Sequence, residues 1–342
     1  MLSAEGVTAD REYDRLSDET QVSAEVSPVS EADCFSFPGA LNIALMMSVL
    51  TSTAILYLYI RPAIELVSLA PYVLIISTCL VLSVYIDRRS SFGEIFQERM
   101  QLLLKGVVFI FIALATLRIF NHLTMSLAFP LADTLLDSWD KALGLNWLAY
   151  FSFVQVNPVL VTVLDAAYIG FDGASLFGFL ALVVMGYSKR ARYFCEVFLI
   201  TAAVSTTVAL FFPAVAAVVL NFGPVDHIEG FSTVPGVYHL EQFLSLRADD
   251  VPSINLLSAA GLATFPSFHA AGGVLLIAGF LRTRLSWIVS LFALVMIASV
   301  PIFGGHYFVD VIAGVALAVT VCILNACRPC YRGLFGKDTS NY

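Results

Sequence analysis

Charge is what this chain has least of. Only 13% of its 342 residues are Asp, Glu, Lys or Arg, about half the usual share of a soluble domain, roughly 25%. That deficit, beside 59% hydrophobic residues, excludes an ordinary water-soluble globule. Most of the chain must sit in lipid, where helices satisfy their own backbone. Basic residues are scarcer still, 18 against 26 acidic, for a net charge of −8. With no basic stripe there is no nucleic-acid footprint, and no such partner is expected. Zinc-type spacing is also missing: no HExxH occurs, and the one CxxC, Cys327 to Cys330, has no second pair. No metal and no cofactor are expected.

The acids that are present crowd one end. Glu5, Asp10, Glu12, Asp14, Asp18, Glu19, Glu25, Glu31 and Asp33 face only Arg11 and Arg15. This polar stretch has no apolar periodicity and reads as a disordered tail. Its order of charged and apolar regions is not that of a signal peptide.

The remainder is a run of apolar segments. Candidates of spanning length lie near 39–60, 64–86, 103–128, 160–186, 193–220, 267–281, 286–303 and 306–327, the sixth and seventh being short. The expected fold is therefore all-α, a polytopic transmembrane helical bundle of about 6–8 spans. Arg88, Arg89, Arg99 and Lys105, then Lys189, Arg190 and Arg192, then Arg282 and Arg284, then Arg328, Arg332 and Lys337 all fall on one side if both termini share it. The positive-inside rule makes that side the cytoplasm, with Arg61 as the exception. Four regions follow: an acidic tail at 1–37, accessory helices at 38–99, a catalytic membrane domain at 100–328 and a cytoplasmic tail at 329–342.

Two long segments then lie outside. In the first, Leu135, Leu136, Trp139, Leu143 and Trp147 recur at helical spacing with acids opposite. This predicts a helix lying in the interface, its tryptophans at headgroup depth. The second, about 221–266, is rich in Gly, Pro, Asp and Ser.

Two of the five histidines stand in contexts that suggest chemistry. One is in Pro266-Ser267-Phe-His269, opening the sixth segment. The other is in Gly304-Gly305-His306-Tyr-Phe-Val-Asp310, opening the eighth. An inward and a return segment bring His269 and His306 to the same outer face. Two helix N-termini meeting there would form an anion site. Gly305 would let the backbone approach a ligand closely. His306 and Asp310, four apart, share a helical face. The carboxylate can hold Nδ1–H and leave Nε2 as a free nucleophilic lone pair. His269 could supply a proton to a leaving alkoxide, and Ser267 could hydrogen-bond a phosphate oxygen. His122, beside Asn121 and near Arg118, could either pair inside the bundle or face this site. His227 and His239 read as loop residues.

These motifs resemble the type 2 phosphatidic acid phosphatase superfamily, especially its inositol phosphorylceramide synthase-like (inositolphosphotransferase) branch and the bacterial relatives of that branch. Phe265-Pro-Ser-Phe-His-Ala270 is similar to the branch's second motif and Gly305 to Gly314 to its third; the likeness covers roughly 100–325. The resemblance implies metal-independent chemistry on a phospholipid or lipid phosphate through a phosphohistidine. By position it makes His306 the nucleophile, Asp310 its partner and His269 the general acid. It also implies a bacterial inner membrane with the site on the periplasmic face. The chain departs from the wider superfamily in having Val300 where an Arg usually follows Ser299, and in lacking the Lys…Arg-Pro first motif. Phosphate charge must then be met elsewhere, by Arg247 or by Arg118. Whether the acceptor is water or an alcohol stays open. The alternative class is a transporter with a histidine and carboxylate proton relay, for which Asp165, Asp172 and Glu196 in the apolar segments are the supporting residues.

Overall fold

The computed structural model describes residues 37–88, 93–223, 225–248 and 254–335. The acidic tail and the end of the chain beyond 335 lie outside the described residues. Within them the protein is all helix, with one isolated bridge between Ile64 and Ile254 and no strand. The helices are α1 (Ala40–Ile60), α2 (Leu66–Asp87), α3 (Glu94–Met125), α4 (Asp133–Ala142), α5 (Trp147–Gln155), α6 (Pro158–Val184), α7 (Ser188–Ala209), α8 (Ala217–Phe222), α9 (Leu240–Arg247), α10 (Phe268–Phe280), α11 (Ser286–Phe303) and α12 (Phe308–Ala326). Seven of these, α1, α2, α3, α6, α7, α11 and α12, are long and apolar enough to cross a membrane. The chain is an integral membrane protein.

The bundle has a centre and a flank. α10 packs against α6, α7, α11 and α12, whereas α1 and α2 pack chiefly on α3. Only 17% of the apolar window of α1 and 11% of that of α2 is buried, against 61% for α7. α1 and α2 are thus left largely to lipid. Lipid tails offer little hydrophobic drive between helices, so close approach must come from small residues. α10 shows this: a Cβ on Gly272 would meet Phe171 at 2.1 Å, and one on Gly279 would meet Phe194 at 2.9 Å.

The seventh expected boundary holds within a residue or two, but the fifth does not. The segment expected over 193–220 stops at Ala209, and the chain turns at Phe212-Pro213 before the short α8. Proline lacks the N–H to continue a helix, and the Pro213 carbonyl instead accepts from Ala132 N at 2.8 Å.

α10 has 13 residues, or about 20 Å at 1.5 Å per residue. The hydrocarbon core is about 30 Å thick. One end of α10 therefore lies inside the membrane thickness, and the irregular chain before it fills the gap. Such backbone is tolerated at depth only where protein satisfies it. That is what happens here. Ile254 N donates to the Ala63 carbonyl at 2.7 Å, Leu256 N to Ser68 Oγ at 3.0 Å, Ala260 N to Gln242 Oε1 at 2.9 Å and Leu262 N to Asn121 Oδ1 at 2.9 Å. The flanking helices thus pin the strap that leads to Ser267 and His269.

The predicted helix exists as α4, but two of its acids are buried beside Leu136 rather than turned to water. Asp133 and Asp140 are buried, while Leu135, Trp139 and Leu143 are exposed. Trp147 is no headgroup anchor either. It is buried, its indole N–H donating to the Pro301 carbonyl at 3.0 Å. The acids turn inward because backbone donors await them.

Candidate active site

His306 sits in the four-residue turn between α11 and α12. Gly305 there has φ +70°, and a Cβ on it would meet the Gly236 carbonyl oxygen at 2.4 Å. The turn therefore presses against the loop before α9, and Ala217 N locks it by donating to the Gly305 carbonyl at 2.9 Å. The expected role of Gly305 as a close approach is real, but what approaches is backbone. Gly304, not Gly305, lines the adjoining cavity.

The His306 ring is buried and held at both nitrogens. Nδ1 lies 3.2 Å from Asp310 Oδ2, and Nε2 lies 3.3 Å from Ser267 Oγ. The same Asp310 oxygen accepts from Tyr307 N at 3.0 Å. Ser267, in turn, donates its N–H to the Asp310 carbonyl at 2.9 Å. The first turns of α10 and α12 are so tightly apposed that a Cβ on Gly314 would meet the Ser267 carbonyl oxygen at 2.2 Å. Burial pushes His306 down to about 4, with the Thr264 carbonyl opposing the shift. That shift favours the neutral ring, the form that carries a lone pair.

Sequence reasoning missed the groups that fix this turn from outside. Asp140 accepts from Phe308 N at 2.9 Å and from Val309 N at 2.8 Å, capping α12 with a carboxylate from α4. Asp133 accepts from Val215 N at 3.0 Å and from the Tyr307 hydroxyl at 2.9 Å. The two aspartates are seven apart and share one face of α4. The signal was present as spacing, but nothing local named their partners. One consequence corrects an expectation. The N-terminus of α12 is not a free anion site, because its first N–H groups already face carboxylates.

A cavity of about 900 Å³ opens beside His306. His269 faces it from the first turn of α10, its ring stacked on Tyr168 with centroids 4.4 Å apart and planes at 14°. His239, expected to be a plain loop residue, is buried at its wall, with Nε2 2.9 Å from the Val215 carbonyl. Along α3 the lining runs from Asn121 to Phe109. Twelve residues of helix span about 18 Å, a little over one leaflet of the hydrocarbon core. The cavity is thus polar at the histidine end and apolar over the depth of an acyl chain.

Among the described residues, Arg118 is the one Arg or Lys that lines it, with Asp165 and Asp172 as the carboxylates. Arg247 lies apart. Its guanidinium donates to the Phe129 carbonyl at 2.6 Å and covers the Phe243 ring at 5.1 Å, so this geometry does not carry the expected phosphate contact. His122 also turns away, its Nδ1 2.9 Å from the Arg118 carbonyl. It lines a separate pocket of about 190 Å³ with Glu65 and Gln242.

Acid should loosen this region. His306 and His239 are both pushed down to about 4 by burial, below the ordinary 6.5. The folded state then binds fewer protons than the unfolded one between those values, so stability falls as pH drops from 6.5 towards 4. The expected slope is about 1.4 kcal/mol per pH unit for each histidine. Thermal unfolding in detergent across that window checks it, and His239→Gln should remove one histidine's share of the slope.

A family model described as PAP2 superfamily matches residues 134–324, more than half of the chain and inclusive of both histidine motifs. No curated protein and no solved structure matches.

Proposed function

The chain belongs to the PAP2 superfamily, and from that premise we propose that it transfers a phosphoryl or phosphodiester group from a lipid through a covalent histidine intermediate at His306. Membership supports phosphatase-type chemistry on lipid phosphates in general. The observation that carries the finer reading is the placement of His306, with Nδ1 on Asp310 and the ring lining the cavity that His269 also faces.

The steps balance as follows. Nδ1–H of His306 is held by Asp310, so Nε2 keeps its lone pair and attacks phosphorus. The N–P bond forms, the P–O bond to the leaving alkoxide breaks, and His269 gives that oxygen its proton. Asp310 stabilises the cationic ring that results. An acceptor oxygen then attacks phosphorus from the cavity, its proton passes to His269, and the N–P bond breaks. Ser267 Oγ lies 3.3 Å from Nε2 in the resting site; it is buried behind the cavity lining and would turn its hydrogen bond to a phosphate oxygen once Nε2 is phosphorylated.

The charge of the cavity bears on the substrate. The one arginine can offset a single negative charge, and the two carboxylates repel a doubly charged monoester more than a singly charged phosphodiester. This favours a phospholipid donor and an alcohol acceptor, as in an inositolphosphotransferase-type reaction. The cavity's depth of about one leaflet suits a lipid whose chains enter beside α3. The transport reading gains nothing from the fold: Glu196 is paired with Arg328 and accepts from the Tyr331 hydroxyl at 2.7 Å, which ties down a helix end.

The test uses full-length protein in detergent–lipid micelles given phosphatidic acid, phosphatidylinositol and ceramide, with products separated by mass. A new phospholipid made from phosphatidylinositol and ceramide is expected. Inorganic phosphate released from phosphatidic acid alone would make the enzyme a phosphatase, and no turnover of any phospholipid would overturn the reading. The two arginines should separate in the same assay. Arg118→Ala should lower kcat/KM by roughly 10- to 100-fold, the worth of a charge-assisted hydrogen bond. Arg247→Ala should stay within about threefold of the parent; an equal loss in both would reinstate Arg247 as a phosphate ligand.

A further inference from the structure

His306 has a carboxylate partner in Asp310, but His269 has no obvious one. No hydrogen bond or ion pair reaches its ring among the described residues. A general acid needs a group that favours its cationic form and restores its proton, so this gap calls for a partner. The ring lies flat against Tyr168. One turn along the same face of α6 stands Asp172, which lines the same cavity. Asp172 also makes no hydrogen bond or ion pair among the described residues. An unpaired carboxylate within a spanning helix is costly and marks function by default. Asp172 is close enough to act electrostatically on His269, more strongly than His306 does.

We infer that Asp172 is a positioning residue for the general acid, forming with His269 a second histidine–carboxylate couple across the cavity from His306 and Asp310. This rests on the proposed role of His269. Asp172 orients the ring, stabilises its imidazolium while the proton is held, and keeps that charge when the acceptor's proton returns. Other polar groups around the ring are differently engaged. The Tyr168 and Tyr238 hydroxyls bond each other at 2.9 Å, His239 is committed to Val215, and Arg118 donates to the Leu256 carbonyl at 3.0 Å. Asp165, three residues before Tyr168 on α6, also lines the cavity, but the carboxylate whose charge acts on His269 is that of Asp172.

The experiment varies the leaving group. Purified full-length parent, Asp172→Asn, His269→Gln and Asp165→Asn are given a short-chain lipid phosphodiester with either an alkyl or a p-nitrophenyl leaving group. First-turnover release is followed. An alkoxide needs a proton to depart and nitrophenolate does not. Asp172→Asn should therefore slow alkyl release by about 10²- to 10³-fold, within the usual worth of general acid catalysis. It should slow nitrophenolate release less than about tenfold, with KM unchanged. A variant carrying both Asp172→Asn and His269→Gln should be no worse than His269→Gln, as for residues that act as one unit, and any loss in Asp165→Asn should be equal for the two leaving groups. The retained nitrophenolate burst shows that the variant is folded. Equal loss on both substrates, or no loss on the alkyl ester, overturns the inference. If His269→Gln is selective for the leaving group and Asp172→Asn is not, only the Asp172 role falls. If His269→Gln is not selective, the general-acid assignment falls and the Asp172 role with it.

Discussion

His306→Ala should abolish turnover, with a loss of at least about 10⁴-fold, the scale seen when a covalent nucleophile is removed. Alanine leaves no lone pair to form the N–P bond, and no neighbour can substitute for it. Asp310 is occupied by Tyr307 N, Ser267 is a hydroxyl without a base once the imidazole is gone, and the His269 ring is stacked on Tyr168. Denatured samples quenched during turnover should show an acid-labile phosphorylated species in the parent and none in the variant. His269→Ala should behave differently. It should still trap the intermediate with a good leaving group but fail to resolve it, so the label accumulates. Asp310→Asn should keep the fold and lose on the order of 10³-fold, because an amide can hold the ring but cannot stabilise its positive charge. Undiminished product from His306→Ala would mean that another group attacks phosphorus.

Much of this architecture was legible in the residues because it rests on local signals. Apolar runs of spanning length gave the helices of the bundle to within a few residues at most ends. The spacing of His306 and Asp310 predicted a shared helical face; the 3.2 Å contact is there, but His306 makes it from the turn two residues before α12. The failures share a cause. Asp140 and its donors Phe308 and Val309 are separated by 168 and 169 residues, and no periodicity in α4 reports what lies across from it. Amphipathicity therefore assigned its acids to water. His239 was misplaced for the same reason, since its acceptor is a carbonyl on the far side of a loop. Arg247 was chosen for its charge and its nearness in sequence to His269, yet the strap between them is drawn off to α2 and α3 and carries it away. The short α10 was visible as a count. Its meaning came only when the strap before it was seen to be pinned by Ser68, Asn121 and Gln242.

The second large effect is expected at Asp140. Removing its side chain leaves the N–H groups of Phe308 and Val309 without acceptors at a buried helix start, and each lost charge-assisted bond is worth about 1.5–3 kcal/mol. Burial raises the carboxyl above its usual range while those two N–H groups pull it back, so the site is a compromise that alanine cannot reproduce. Asp140→Ala should lower the thermal midpoint by several degrees and cut kcat by more than about tenfold, as the turn carrying His306 loses its anchor. Asp140→Asn keeps one accepting oxygen and should fall between alanine and the parent in both. A further consequence separates positioning from mere stability. With the cap gone, the N-terminus of α12 becomes an open anion site, so inorganic phosphate should inhibit Asp140→Ala more strongly than the parent. A variant with the parent's midpoint, rate and phosphate sensitivity would show that α4 does not set the nucleophile.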